Sequence, residues 1–213
     1  MTDYRLHCFA QSGNAYKPAL ALTLAGADWQ PVFVDFFNGE TRTPAYRTIN
    51  PMGEVPVLEH AGRRLTQSGV ILDYLTETLG RFGPETPDER REILRWTLWD
   101  NHKLTSYIAT LRFLMNFIPE SKREPAVIAF LDARARSALK ILEPHLAGRD
   151  WIAADRPTTA DLSCVGYLYF TDEFGLDMAG LPNVDRWRGA IAGLPGWQHP
   201  YDLMPGHPIP GRS

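Results

Sequence analysis

An α/β half followed by an all-α half is the fold class that this sequence predicts, and three observations carry the prediction. Up to about residue 80, short apolar runs alternate with helical periods. At Arg81–Glu89, "RFGPETPDE", two prolines and the loss of any period mark a break. Beyond it, every periodic stretch is helical. The expected domains are residues 1–80, a linker at 81–88, and 89–213, the last ending in an irregular Pro- and Gly-rich tail. The helical domain is expected to pack on the α/β one.

The elements follow in order. Arg5–Ala10 is a short apolar run that suits a buried strand. "QSGN" at Gln11–Asn14 then opens a helix over Ala15–Ala25, with Leu20 and Leu24 on one face and Gly26 as the stop. Pro18 is tolerable because it sits in the first turn. "PVFVDFF", Pro31–Phe37, is dense in β-branched and aromatic residues and predicts a second strand, which completes a βαβ unit. The stretch "NGETRTPAYRTINPMGE" reads as irregular. Val55–Glu59, the turn "HAGR" and Arg64–Thr66 form a hairpin with Gly62 in its turn. Ser68 to about Thr78 is a helix with Ile71, Leu72 and Leu75 on one side, closed by Gly80. The order is therefore βαβ followed by ββα.

In the second half, residues 89–118 read as one long helix, with Ile93, Leu94, Trp96, Leu98, Tyr107, Ile108, Leu111 and Leu114 at helical spacings. Glu124–Leu146 is another, with Val127, Leu131, Leu139 and Leu142 as its apolar positions. Asp161–Phe174 and Asp185–Gly193 are two more. After Trp197 the chain reads as irregular.

Composition narrows the function classes. A chain of 213 residues with 44% hydrophobic and 22% charged residues has the apolar content to bury a core. The net charge is −3 and no Lys/Arg run appears, which argues against nucleic acid or an anionic membrane as partner. No apolar stretch is long enough to span a bilayer, and the N-terminus lacks the layout of a signal peptide. Cys8 and Cys164 are too few for a disulfide framework, so a reducing, cytosolic compartment is expected. The six histidines show no paired metal spacing, and no metal is expected.

Four short motifs stand out, three of them with chemical content. At Val55-Pro56 a proline opens a strand; the Val55 N–H and C=O then face outwards and can pair with a peptide-like ligand, although an ordinary edge-strand proline has the same look. Gln67-Ser68 sits at a helix start, where free N–H groups and the helix dipole favour an anion. The Gln67 amide offers a donor and an acceptor for an α-amino-acid head group. Ser12-Gly13-Asn14 repeats that arrangement. Simple capping explains either helix start alone; two of them on one βαβ–ββα unit with a Val-Pro between are harder to set aside. Thr158-Thr159-Ala160-Asp161 fits a capping box and is assigned a structural role only.

With these residues quoted, the sequence resembles the cytosolic glutathione S-transferases along nearly its whole length. "NPMGEVPVL" at Asn50–Leu58 is similar to that family's cis-proline segment, "QSGVILDYL" at Gln67–Leu75 to its γ-glutamyl-binding motif, and "PTTADLS" at Pro157–Ser163 to the capping box of its helical domain. The resemblance implies a thioredoxin-like N-terminal domain joined to an all-α C-terminal one, glutathione as co-substrate with no other cofactor, a hydrophobic electrophile as second substrate, and a homodimer. It places the γ-glutamyl head on Gln67 and Ser68 and the cysteinyl backbone against Val55, beside Pro56. The thiol then lies near Ser12, with Asn14 as a second donor in the manner of some bacterial subfamilies. Cys8 is too early for the cysteine-type position. The sequence departs from the family just before the cis-proline. Many relatives carry Lys, His or Gln there, on the glycyl carboxylate, where this chain has Gly53 and Glu54. Arg42 or Arg47 is the expected replacement.

The mechanism that the resemblance implies is thiolate activation. A free thiol has a pKa near 8.5, and lowering it by about two units needs roughly 2.7 kcal/mol in favour of the thiolate. A hydrogen bond to a charged group supplies about 1.5–3 kcal/mol and a helix N-terminus roughly 0.3–1 more. Ser12 and Asn14 therefore suffice without a base. Trp99, Lys103, Tyr107 and Leu111, one turn apart on the long helix, form either an electrophile-facing stripe or domain core. Three functions stay open: a transferase, a glutathione-dependent disulfide or peroxide reductase suggested by the Asn14 pattern, and a non-catalytic scaffold. Glu54 favours the scaffold, and intact Ser12, Gln67 and Ser68 oppose it.

Overall fold

The structure is a computed structural model and describes residues Asp3–Pro208. The chain divides into two compact units. One takes in the chain up to Gly83 and collects it again from Leu194; the other is Pro84–Gly193.

The first unit is built on a four-stranded mixed sheet in the order β2-β1-β3-β4. Strand β1 is Tyr4–Cys8, β2 Trp29–Phe33, β3 Val57–His60 and β4 Arg63–Thr66. β1 pairs parallel to β2 and antiparallel to β3, which pairs antiparallel to β4. Helix α1 (Gly13–Leu24) supplies the crossover between the parallel strands, and α3 (Ser68–Leu79) follows the hairpin. Leu6, Leu20, Leu58, Ile71, Leu72 and Leu75 fill the core. This is the expected βαβ–ββα order.

Several boundaries differ for local reasons. Tyr4, expected ahead of the first strand, begins it and stacks on His60, with ring centroids 4.0 Å apart. The second strand, expected over Pro31–Phe37, stops at Phe33, because the chain then turns. The Phe36 N–H bonds back to the Val34 carbonyl at 2.8 Å, and the Asp35 N–H donates to the Glu40 carboxylate at 2.6 Å. Phe36 and Phe37 instead pack on Phe9, at centroid distances of 4.9 and 5.8 Å. The stretch read as irregular holds a short 3-10 turn, Glu40–Arg42, and helix α2, Pro44–Ile49. Thr43 caps α2 by accepting from the Tyr46 N–H, with Pro44 in the first turn. That Thr-Pro pair is a start signal visible in the sequence.

The second unit is helical throughout its described elements: α4 (Pro87–Trp99), α5 (Thr105–Asn116), α6 (Pro125–His145), α7 (Thr159–Val165) and α8 (Pro182–Ala192). The single long helix expected over 89–118 is interrupted by a π-helical turn at Asp100–Leu104. Asp100 is fully buried there, and its carboxylate accepts from the Thr105 hydroxyl at 2.7 Å and the Ser163 hydroxyl at 2.6 Å. Thr105 lies five residues on, the spacing that a π turn serves. The helix expected over Asp161–Phe174 ends at Val165, beyond which backbone bonds tighten to three-residue spacing and a 3-10 turn forms at Thr171–Glu173. Of the apolar positions expected to be buried, Ile93, Trp96, Ile108, Leu111, Leu131, Leu139 and Leu142 are core, while Leu94, Leu98 and Val127 are exposed.

The tail does not stay with the helical unit. From Leu194 it groups with the first unit, and it includes a short helix, α9, at Pro200–Leu203. The Tyr16 hydroxyl donates to the Gln198 carbonyl at 2.8 Å, which helps tie the tail to α1.

Candidate active site

Sheet register gathers the candidate residues of the first unit. His7 is opposite Val57, and Val57 is opposite Thr66. The chain leaving β1 toward Ser12, the chain arriving at β3 through Val55-Pro56, and the chain leaving β4 toward Gln67 therefore share one end of the sheet. The Val55-Pro56 peptide bond is cis.

Ser12 is the N-cap of α1. Its hydroxyl oxygen accepts from the Ala15 N–H at 3.2 Å, which leaves its own proton to donate elsewhere. Asn14, in the first turn, is half-buried, and its Oδ1 is buried without a partner. Cys8 lies inside β1, fully buried, and burial pushes its thiol up to about 12. It is a neutral core residue and no nucleophile.

At the second helix start the cap is Gln67, held at φ 67° and ψ 117° with no side-chain cap bond. A residue with a Cβ adopts such a backbone at a cost of about 1–3 kcal/mol, and such residues cluster at ligand sites. Ser68, expected to open the helix, is its first residue and is buried. The Gln67 amide donates to the Glu54 carboxylate at 3.1 Å and to the Met52 sulfur at 3.1 Å. Glu54 thus reaches the Gln67 side of the site and gives it an acceptor there.

The segment before the cis-proline is fixed by residues that sequence reasoning missed. Buried Asn50 donates to the Glu54 carbonyl at 2.8 Å and accepts from the Met52 N–H at 3.1 Å, and the Tyr46 hydroxyl donates to the same carbonyl at 3.0 Å. The Asn-Pro-x-Gly spacing was the available signal, since Gly53 sits at φ 68° where an added Cβ would meet the Thr41 carbonyl at 2.9 Å. Of the two expected cations, Arg47 is tied to this segment by a bond to the Pro51 carbonyl at 3.1 Å. Arg42 is exposed at the end of its 3-10 turn, and its guanidinium makes no hydrogen bond or ion pair among the described residues.

In the helical unit the proposed stripe does not present one surface. Leu111 is core, whereas Trp99, Lys103 and Tyr107 are half-buried. Tyr107 is engaged by α6: the Arg134 guanidinium donates to its hydroxyl at 3.1 Å and lies 5.1 Å from its ring centre. That hydrogen bond holds the Tyr107 phenol below its ordinary pKa. At Thr158 the capping box forms as expected. The Asp161 carboxylate accepts from the Thr158 N–H and hydroxyl, the Ile152 N–H and the Trp187 indole, at 2.8–3.0 Å. Among the described residues no three His, Cys, Asp or Glu side chains gather as metal ligands, and no helix is long and apolar enough to cross a membrane.

A thioredoxin-like domain with a cis-proline and two helix starts at one sheet end, followed by a helical domain, defines a class, and comparison with known proteins agrees. The N-terminal domain model of the glutathione S-transferases matches residues 4–77 and the C-terminal domain model residues 104–195; the chain belongs to this family and is a glutathione-dependent enzyme. A solved structure described as a possible glutathione S-transferase from Rhodopseudomonas palustris is 33% identical, with a TM-score of 0.88 over 97% of this chain and 93% of that one. Maleylacetoacetate isomerase of Rhizobium meliloti is 30% identical over 94% of this chain and 97% of that protein. Disulfide-bond oxidoreductase YfcG of Escherichia coli is 25% identical over 88% and 89% respectively.

Proposed function

We propose that this enzyme activates the thiol of glutathione at the Ser12 turn and delivers the thiolate to an electrophilic small molecule. The observation that carries this reading is the state of the Ser12 hydroxyl. Its oxygen is occupied by the Ala15 N–H, so its proton is the group left to meet a thiolate at the N-terminus of α1. Asn14 adds an amide at the same turn. The γ-glutamyl head takes the Gln67 amide and the Ser68 helix start, and the cysteinyl backbone takes the Val55 N–H and C=O beside cis-Pro56. Glu54, within hydrogen-bond distance of Gln67, suits the α-ammonium of that head, and Arg47 rather than Arg42 is the better-placed cation for the glycyl carboxylate. Trp99, Lys103 and Tyr107 are the electrophile-side candidates, Leu111 having gone to the core. The enzyme is expected to act in the cytoplasm as a homodimer.

A second reading is thiol–disulfide exchange on glutathione itself, favoured by the oxidoreductase relative. Cys8 takes no part in it, being buried and neutral. Binding of glutathione is followed calorimetrically and by ultraviolet thiolate absorbance, in the wild type and in a Ser12→Ala, Asn14→Ala double variant. A thiolate signal lost in the variant supports activation at this turn; no binding to the wild type sinks the proposal. Turnover of an aryl halide, a hydroxyethyl disulfide and maleylacetoacetate then separates the transferase from the activities named for its relatives.

A further inference from the structure

The described part of the C-terminal tail runs back along α1 to the candidate thiol turn. A methyl group at Gly196 would sit 3.5 Å from the Thr23 carbonyl near the end of α1, and the Gln198 carbonyl accepts from Tyr16 nearer its start. The tail then reaches the residues just before Ser12. The Ala10 N–H donates to the Pro205 carbonyl at 2.8 Å. The Gln11 amide is held at both ends by one backbone unit: its Nε2 donates to the His207 carbonyl at 2.6 Å and its Oε1 accepts from the His207 N–H at 3.2 Å. Gly206 lies so close that an added Cβ would meet the Ala10 Cβ at 2.7 Å. The His207 ring is seated among Phe9, Phe33 and Phe37, with centroids 6.0, 5.1 and 4.7 Å away, and its Nδ1 is 3.6 Å from the Asp35 carboxylate.

From these contacts we infer that Pro205–His207 is a clamp on the thiol site, with Gln11 and His207 as positioning residues that hold Ser12 in register for the glutathione sulfur. The physical reason is the location of the contacts. Gln11 is buried and precedes Ser12 directly, and the Ser12 N–H is itself tied back to the Phe9 carbonyl at 2.9 Å. Phe9, Ala10 and Gln11 thus each carry a tail contact, one by its ring, one by its backbone and one by its side chain. A turn aimed at a sulfur needs its donors fixed to a fraction of an ångström, and supporting contacts of this kind supply that. Among the described residues, the contacts of Pro205, Gly206 and His207 fall on Phe9, Ala10, Gln11, Phe33, Asp35 and Phe37, on the side of the thiol turn, so the clamp acts on thiol activation and leaves head-group binding alone.

The inference rests on the thiol-activation reading, and the experiment separates the two. The pH titration of bound glutathione is followed by thiolate absorbance in the full-length wild type, in Gly206→Ala, in Gln11→Ala and in the pair Ala10→Gly, Gly206→Ala. The new methyl in Gly206→Ala meets the Ala10 methyl at 2.7 Å and the Gln11 Oε1 at 3.0 Å; removing the Ala10 methyl relieves the tighter contact and leaves the Gln11 side-chain amide, the end of a flexible chain, to adjust. In Gly206→Ala and Gln11→Ala the thiol titrates about one pH unit higher and kcat at about pH 7 falls about threefold, while glutathione affinity measured near pH 5.5, where the thiol stays protonated, holds within about twofold. The paired variant regains most of both, which a general loss of stability would not reproduce. Wild-type titration in both single variants overturns the clamp, and so does a paired variant that regains nothing. A wild type that leaves the thiol at its free value overturns the thiol-activation reading itself, and is seen in that one trace.

Discussion

Two capped helix starts in this molecule look alike in sequence and differ in how their polar atoms are used. At Thr158 the cap is closed. Asp161 is fully buried and takes four donors from three different segments. Burial pushes its carboxyl up from the ordinary value, and those four bonds offset only part of that. At Ser12 the cap is open: the hydroxyl oxygen accepts from Ala15, its proton remains, and the Asn14 Oδ1 is buried without a partner. Gln67 likewise makes no cap bond, its amide donating to Glu54 and Met52 instead, and it holds an unfavourable backbone. A helix N-terminus whose side chains are spent internally is a structural joint, and one whose side chains are unspent is where a ligand belongs.

That contrast is broken most directly at Asp161. Asp161→Ala should strand four buried donors and cost more than about 3 kcal/mol, measured by chemical denaturation. A loss no larger than that of an ordinary cap would erase the distinction. Ser12→Ala should do the opposite: about 1 kcal/mol in stability, but roughly 25-fold in conjugation rate at about pH 7, as the thiol pKa returns by about two units to its free value near 8.5. Gln67→Gly sharpens the comparison within the open class. Removing the Cβ relieves the backbone, so the melting temperature should hold or rise, while glutathione affinity drops by about tenfold from one lost charge-assisted bond. A variant that both melts earlier and binds normally would reassign Gln67 as a structural cap. The smallest effect is expected at Cys8: with its thiol at about 12 and fully buried, iodoacetamide at neutral pH should leave it unmodified in the folded enzyme, as peptide mass analysis would show.

Much of this was legible because it is local. Alternation and turn chemistry gave the hairpin, whose turn places Ala61 and Gly62 at positive φ, and Gly80 closes α3 in the left-handed conformation. Thr158 and Asp161, three residues apart, announced their box. The Phe33–Phe37 run misled for a physical reason: aromatic density signals burial, and here the rings stack on Phe9 and around His207 instead of continuing a ladder. The π turn was not legible, because Asp100 needs Ser163, sixty-three positions away, to satisfy its carboxylate. Leu94 and Leu98 keep a helical spacing with the core residues yet stay exposed, since periodicity fixes a face and not what covers it.

By itself the sequence determined the two-part architecture and the order of the elements, which follow from neighbours within a few residues, while its resemblance to a known family pointed to the cis-proline segment and to Ser12, Gln67 and Ser68 as candidates. Tertiary structure decided the rest. It turned Glu54 toward Gln67, bonded Arg47 to the Pro51 carbonyl, sent Leu111 to the core, and brought a tail read as irregular back to Gln11 across 196 positions. Those outcomes depend on which distant surfaces pair their hydrogen-bonding groups when the chain closes, and no local rule carries that information.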